Sequence, residues 1–140
     1  MNPRDFLSCI SAGGISGSPA LTMRNQRTGA VLVTRLRIAT SMFARLRGLL
    51  GRPEPPPGEG LWIVPCAGVH TFGMRYPIDV VFLDRFGRVV TMRPWLSPAR
   101  MVPWVRGAHS ALELRRDSLA ACDLHHGDVL VLESVTEARR

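Results

Sequence analysis

Short apolar segments rich in Val, Leu and Ile recur along the chain, separated by clusters of Gly, Pro, Asp and Arg. Within several segments, apolar residues alternate with polar ones, as is typical of strands that bury one face. The pattern predicts strands over residues 30–37, 61–64, 78–83, 88–93, 111–114 and 129–135. Because no strand–helix–strand rhythm appears, we predict a mainly β fold, a compact antiparallel β-sandwich or partly open barrel with one short α-helix packed on it.

That helix is predicted where the apolar spacing changes from two residues to three or four. Thr40 or Ser41 supplies the N-cap, and Gly48 and Gly51 end the helix. The apolar stripe is formed by Phe43, Leu46, Leu49 and Leu50. Two turns are too short to be stable alone, so we expect the stripe to pack on the sheet.

The length of 140 residues fits one domain with short flanking segments. Residues 1–22 are rich in Ser and Gly and are predicted to be a disordered leader, with Met23 as the domain's first residue or the true translation start. The globular domain is predicted over residues 23–136, followed by a frayed tail over 137–140.

The charge and the cysteines bear on partners and compartment. The net charge is +7, and all eighteen basic residues are arginine, but no basic run exceeds two residues. This scatter favours a general composition bias over affinity for phosphate or nucleic acid, because net charge bears on non-specific association and not on specificity. An odd count of cysteines (Cys9, Cys66 and Cys122) without a C-x-x-C pair indicates reduced thiols and a cytoplasmic location, with export only weakly supported. No apolar run reaches eighteen residues, so we expect no membrane span.

Residues 66–84 hold the greatest density of chemically capable side chains. Cys66 and His70 stand four residues apart, and such a pair acts as nucleophile and base when a third group orients the ring. Asp79 or Glu113 is a candidate for that third group. The alternative, which we favour, is a buried structural cysteine and a histidine bonded to the backbone.

The same segment offers metal ligands. Cys66 and His70, with Asp79, His109 and Met74 as further donors, combine S, N and O atoms suited to zinc or copper. Their spacing matches no closed structural motif, so metal and other cofactors stay open at this point.

Asp79 is the unusual residue of the predicted strand 78–83. It shares a face with Val81 and Leu83, and a carboxylate on an apolar face needs a partner. Arg75 offers one, either as an ion pair that fixes the entry to the strand or as half of a clamp for an anionic or polar ligand.

The long irregular stretch over residues 94–107 contains Trp95 and Trp104. A loop of this length is often a lid over a site. Alternatively, the tryptophans fill one end of a small core, and the sequence leaves both interpretations open.

Several separate motifs follow one another along the chain, namely Arg45–Gly51, Cys66–Met74, Pro77–Asp84, Gly87, Ala111–Leu114 and Gly127–Asp128. Together they resemble one family, the uncharacterised bacterial and archaeal domain of unknown function 192. The resemblance covers roughly residues 28–133 and implies a compact β-rich domain with one helix, without an established activity. One departure is that Arg115, Arg116 and Asp117 stand where the family usually has a Gly in a tight turn.

We predict a small β domain that binds a polar or anionic small molecule, or a peptide, in a cleft between residues 66–76 and 95–104. We favour this binding function over an enzyme. The expected polar contacts are His70, Thr71, Arg75 and Asp79, and the expected apolar walls are Phe72, Met74, Trp95 and Trp104. The alternative function is a Cys/His or metal-assisted hydrolase that uses Cys66, His70 and Asp79.

Overall fold

The computed structural model describes residues 20–40 and 48–135, and the regular elements of this part are all strands. They are β1 (Ala20–Asn25), β2 (Val31–Val33), β3 (Arg35–Ala39), β4 (Glu59–Ile63), β5 (Val69–His70), β6 (Ile78–Leu83), β7 (Val89–Leu96), β8 (Met101–Val102), β9 (Ser110–Arg115) and β10 (Leu130–Val135). In this part of the chain, no helix is long and apolar enough to cross a membrane.

The strands form three sheets. A three-stranded sheet has the order β10–β1–β2, a five-stranded sheet has the order β3–β4–β9–β6–β7, and β5 pairs with β8 in a two-stranded ribbon. All of these pairs are antiparallel except β3–β4, which is parallel. The prediction of a mainly β fold is confirmed, and the sheets of the described part do not close into a barrel.

The N-terminal strands differ in detail from the sequence pattern. The predicted strand 30–37 is two strands in different sheets, because the chain bends at Thr34, whose N–H donates to the carbonyl of Gly58 at 2.9 Å. β1 begins at Ala20, three residues before the predicted domain boundary. Most of the predicted helix falls on residues 41–47, outside the described residues, so that helix stays a prediction.

The core lies on both faces of β6, whose six residues are all buried. Val81 and Leu83 belong to the cluster between the five-stranded and three-stranded sheets, whereas Ile78, Val80 and Phe82 belong to a second cluster on the opposite face. β9 alternates in the same way, with Leu112 and Leu114 in the first cluster and Ala111 in the second. The strand parity therefore places Asp79 on the first face and Glu113 on the second.

A buried carboxylate fixes the turn that leads into β10. Asp128 accepts hydrogen bonds from the side-chain amide of Asn25 at 3.0 Å and from the main-chain N–H of His125 at 2.9 Å. It also accepts from Nε of Arg27 at 2.8 Å. The hydrogen bond from Arg27 is the main reason why the pKa of Asp128 lies well below its usual range. These contacts join the end of β1 to the start of β10.

We expect Asp128→Asn to lower the melting temperature at pH 7. Because the folded-state pKa of Asp128 is depressed, its contribution to stability is present above the unfolded-state value of about 3.9 and is lost as the pH falls below that value. Thermal denaturation of both proteins from pH 7 to pH 2.5 should show the difference shrinking only below about pH 4. A difference that stays constant down to the lowest pH would contradict the assignment.

Candidate functional site

The two segments predicted to border a cleft are paired directly. β5 and β8 form a ribbon in which Val69 lies opposite Val102 and His70 opposite Met101. The pairing continues beyond the ribbon, since the N–H of Val105 donates to the carbonyl of Ala67 at 2.7 Å. A side chain at Gly68 would collide with the carbonyl oxygens of Val102 and Pro103. Main chain therefore contacts main chain where the sequence predicts a cleft.

Thr71 stabilises the loop before β8. Its side chain is buried, its hydroxyl donates to the carbonyl of Ser97 at 2.6 Å, and the same oxygen accepts from the N–H of Arg100 at 2.9 Å. The N–H of Ala99 donates to the Thr71 carbonyl at 3.0 Å. Thr71 thus holds the main chain of residues 97–100 and does not face a ligand in this structure.

Asp79 also binds main chain. It is fully buried, its Oδ1 accepts from the N–H of Trp95 at 2.9 Å, and its Oδ2 accepts from the N–H of Leu119 at 2.8 Å. The β6–β7 register shifts at this point, because Ile78 lies opposite Leu96 while Val80 lies opposite Arg93. Asp79 therefore fixes a β-bulge in β7 and the turn after β9. These two N–H groups are the partners that the buried carboxylate requires. Arg75, the partner predicted from the sequence, is exposed.

The turn after β9 also explains the departure from the family motif. Asp117 takes a φ of 68°, the left-handed conformation that a glycine adopts readily. Its carboxylate accepts from the indole Nε1 of Trp95 at 2.6 Å, and the guanidinium of Arg116 lies 5.4 Å from the centre of the Trp95 ring. The tight turn is kept without the glycine, and Trp95 packs against it rather than over a cleft.

The other predicted contact residues lie at the surface or at its edge. His70 and Phe72 are exposed and stack with ring centroids 5.7 Å apart, and Trp104 is 67% exposed. Met74 is half-buried and packs against the second core cluster. The exposed side chains are thus accessible to a partner, whereas Thr71 and Asp79 are buried.

Each of the residues proposed for hydrolysis or metal binding has a different contact in the structure. The thiol of Cys66 donates to the carbonyl of Gly68 at 2.9 Å, His70 stacks on Phe72, and Asp79 binds two N–H groups. Over residues 20–40 and 48–135, no three His, Cys, Asp or Glu side chains are positioned to hold one metal ion. The structure thus does not assemble the predicted ligand set.

Glu113 is a buried group whose environment was not predicted from the sequence. It lies in the middle of β9 and is only 4% exposed. The main-chain N–H of Leu49 donates to its carboxyl group, but Oε2 has no hydrogen-bond partner among the described residues. A Cβ at Gly48 would lie 3.2 Å from Oε2, so the absence of a side chain at Gly48 makes room for the carboxyl group.

Burial sets the protonation of this carboxyl group. Loss of water raises the pKa of Glu113 to about 7, and the hydrogen bond from Leu49 opposes the rise only in part. Glu113 therefore changes charge near neutral pH, unlike an exposed glutamate. The pKa of the nearby Tyr76 is also raised, chiefly by burial and then by the charge of Glu113.

The carboxyl group of Glu113 lines a pocket of about 300 Å³. One side is apolar, with Leu49 and Leu61, and the guanidinium-bearing residues Arg37 and Arg52 add positive charge. The remaining lining residues are Pro53, Glu54, Pro55, Pro56, Glu59 and Gly60.

The proline-rich wall of the pocket is held by side chains from two directions. The hydroxyl of Tyr76 donates to the carbonyls of Arg52 at 3.1 Å and Pro53 at 3.2 Å. Nη1 of Arg115 donates to the carbonyl of Pro55 at 3.0 Å, and Arg116 pairs with Glu54 at 3.0 Å. These contacts hold the wall without a bound ligand.

Comparison with known proteins identifies a family that matches most of the chain. The family model described as an uncharacterised ACR, DUF192, matches residues 23–132. The chain belongs to the DUF192 family. This confirms the resemblance seen in the sequence motifs.

Individual relatives add the fold but no activity. The chain is 37% identical over 79 residues to a UPF0127 protein from Thermococcus sibiricus, and this alignment covers 51% of each chain, so it spans about half the length of that curated relative. A crystal structure of a protein of unknown function from Novosphingobium aromaticivorans has a TM-score of 0.70 at 20% identity, covering 85% of this chain and 99% of that one. A putative transcription regulator from Sinorhizobium meliloti has a TM-score of 0.69 at 19% identity, covering 85% and 97%.

Two of the DUF192 motifs meet at the pocket. Gly48 and Leu49 belong to the first motif, and Glu113 is the acidic residue of Ala-Leu-Glu-Leu. The sequence signal that could have found this site is the one that singled out Asp79, namely an acidic residue within an apolar strand. What the sequence did not reveal is that Asp79 meets two donors and Glu113 meets one.

We expect Asp79→Ala to lower the free energy of unfolding by about 2–4 kcal/mol, because it leaves two partly buried N–H groups without their acceptor. Urea denaturation measures the change. Asp123→Ala is the matched control, since that side chain is 66% exposed and its removal should change stability by less than about 0.5 kcal/mol. Equal effects of the two substitutions would contradict the structural role of Asp79.

We expect Glu113→Gln to change how stability depends on pH. The folded-state pKa is raised to about 7 from 4.5, so the native state binds the proton more tightly and wild-type stability is lost as the pH rises through this window. Relative to wild type, the variant should gain about 3 kcal/mol between pH 5 and pH 8. Parallel urea titrations at both pH values test this, and a difference independent of pH would show that Glu113 titrates normally.

Proposed function

We propose that this DUF192 domain is a binding protein that holds a small polar molecule in the pocket at Glu113. The observation that supports the proposal is Oε2 of Glu113, a buried oxygen of a pocket-lining residue that has no hydrogen-bond partner among the described residues. Buried polar atoms without partners are rare in folded proteins, because each costs about 1–3 kcal/mol. A ligand that donates a hydrogen bond to Oε2 would offset that cost.

The other buried carboxylates of the same domain sharpen the contrast. Asp79 accepts from two main-chain N–H groups, and Asp128 accepts from Asn25, Arg27 and His125. Both therefore have full structural roles. Glu113 receives one main-chain donor and is the one of the three that lines a pocket. This difference favours a binding role for Glu113 over a purely structural one.

The lining residues indicate the class of ligand. Oε2 calls for an N–H or O–H donor, the Leu49–Leu61 side suits an apolar body, and Arg37 or Arg52 suits a carboxylate or phosphate. Glu54 and Glu59 do not cancel these arginines fully, because Glu54 pairs with Arg116 and Glu59 lies 4.0 Å from Arg35. We therefore propose a small anion that carries a hydrogen-bond donor at its far end.

The hydrolase alternative has no comparable support, since Cys66, His70 and Asp79 each have a different contact. The cytoplasmic location also stays a proposal. Cys66 and Cys122 are not joined in a disulfide, which is compatible with a reducing compartment.

We test the pocket with indole-5-carboxylate, which has an N–H donor at one end and a carboxylate at the other. Titration followed by amide chemical shifts should move the signals of Leu49, Leu61 and Glu113. Benzofuran-5-carboxylate, which lacks the N–H, should bind about tenfold more weakly, since it leaves Oε2 unpaired.

Two variants complete the experiment. Glu113→Leu should bind both probes with the same low affinity, and Arg85→Gln, an exposed arginine outside the pocket lining, should behave as wild type. The proposal is wrong if neither probe moves the pocket signals at millimolar concentration. It is also wrong if the two probes bind wild type equally.

A further inference from the structure

The β5–β8 ribbon presents an apolar face to solvent. His70 and Met101 lie directly opposite each other across the two strands, so their side chains share one face. Phe72 stacks on His70 and extends the face beyond the end of β5. Phe72 is 46% exposed and Met101 58% exposed, and Trp104, which follows the ribbon, is 67% exposed. We call these four residues the ribbon face.

The chain around the ribbon face is basic. Residues 85–112 contain five arginines and no Asp or Glu, and residues 60–78 contain Arg75 and no acidic residue. Arg75, Arg100 and Arg106 are exposed and form no salt bridge with any residue of the described part. The arginines scattered along the sequence thus include a group without acidic neighbours in sequence, within three residues of Phe72, Met101 or Trp104 along the chain.

We propose that the ribbon face binds the surface of a membrane that contains anionic phospholipids. Phe72, Met101 and Trp104 enter the boundary between headgroups and acyl chains, where apolar side chains leave water and an indole N–H still finds partners. Arg75, Arg100 and Arg106 bind the lipid phosphates. The contact is peripheral, since the described part has no helix that could cross the bilayer.

Three features favour a lipid surface over single-stranded nucleic acid, which would also meet aromatic and arginine side chains. Met101, in the ribbon itself, offers an apolar chain and no flat ring on which a base could stack. Phe72 already stacks on His70. Residues 60–112 contain no Asn or Gln, the side chains that pair with the edge of adenine.

The test is flotation of the full chain with phosphatidylcholine vesicles that contain or lack phosphatidylglycerol. Binding should require the anionic lipid and weaken with salt. The double variant Met101→Ser/Trp104→Ser should bind at least about tenfold more weakly, because two apolar side chains no longer leave water. Arg100→Gln/Arg106→Gln should lose about 25-fold, at about fivefold per arginine.

Matched controls lie elsewhere on the protein. Phe86 is 62% exposed at the tip of the β6–β7 hairpin, with arginines at positions 85 and 88, and Phe86→Ser should leave binding unchanged. Arg35→Gln controls for loss of charge. Each variant is first shown to keep the wild-type melting temperature. If Met101→Ser/Trp104→Ser does not, the single substitution Met101→Gln replaces it.

The proposal fails if vesicles with and without phosphatidylglycerol bind equally, if none bind, or if Phe86→Ser weakens binding as much as the ribbon variants. It also fails if a fluorescent single-stranded DNA binds through the same residues while vesicles do not. The ribbon face lies outside the Glu113 pocket, so Glu113→Leu should leave vesicle binding unchanged. The two proposals are therefore tested independently of each other.

Discussion

The fold depends on a strand that is buried on both faces and carries a carboxylate. β6 packs apolar side chains against one cluster on each side of the five-stranded sheet. A charge in that position would be costly if it were unpaired. Asp79 is instead bonded to the N–H groups of Trp95 and Leu119. Because those donors come from β7 and from the turn after β9, one side chain fixes the strands on either side of β6 at the same end.

The surrounding chain is shaped to reach this carboxylate. The bulge at residues 94–95 brings the N–H of Trp95 toward Asp79, and Trp95 takes a φ of 51° there. Asp117 takes a φ of 68° in the turn that supplies Leu119. Left-handed conformations of non-glycine residues cost about 1–3 kcal/mol and persist where the surrounding contacts hold them. Here those contacts are the hydrogen bond from the Trp95 indole to Asp117 and the two hydrogen bonds that Asp79 accepts.

Much of the fold followed from the sequence because the alternation of apolar residues is strong. The parity of β6 was correct, as was the requirement that Asp79 have a partner. The partner itself was not predictable, since N–H groups at positions 95 and 119 come close only after β7 bulges. The pairing of the two segments that were predicted to border a cleft was not predictable either. β5 and β8 are two residues long each, too short to leave a periodic signal, and their pairing joins the two segments that were expected to part.

Glu113 shows what the sequence leaves open about function. Asp79 and Glu113 look alike in sequence, each an acidic residue among Val and Leu in a buried strand. They face opposite sides of the same sheet, and β6 and β9 place Val80 opposite Glu113 and Asp79 opposite Leu114. On the side of Asp79, the turn after β9 donates a hydrogen bond to the carboxylate from the N–H of Leu119. On the side of Glu113, the wall of residues 52–56 is held away by Tyr76 and Arg115.

Segment 66–78 is therefore important in a way that its side chains do not suggest. Its inward polar group, Thr71, binds the main chain before β8, and its outward groups, His70 and Phe72, form part of the ribbon face. Near its end, Tyr76 holds the pocket wall through two carbonyls. The same short stretch thus forms part of the ribbon face and holds the wall of the pocket, but it does not supply the carboxyl group of the pocket. The dense polar and aromatic side chains of the sequence thus mark a segment that holds the pocket wall, whereas Glu113, the residue proposed to bind a ligand, lies on β9.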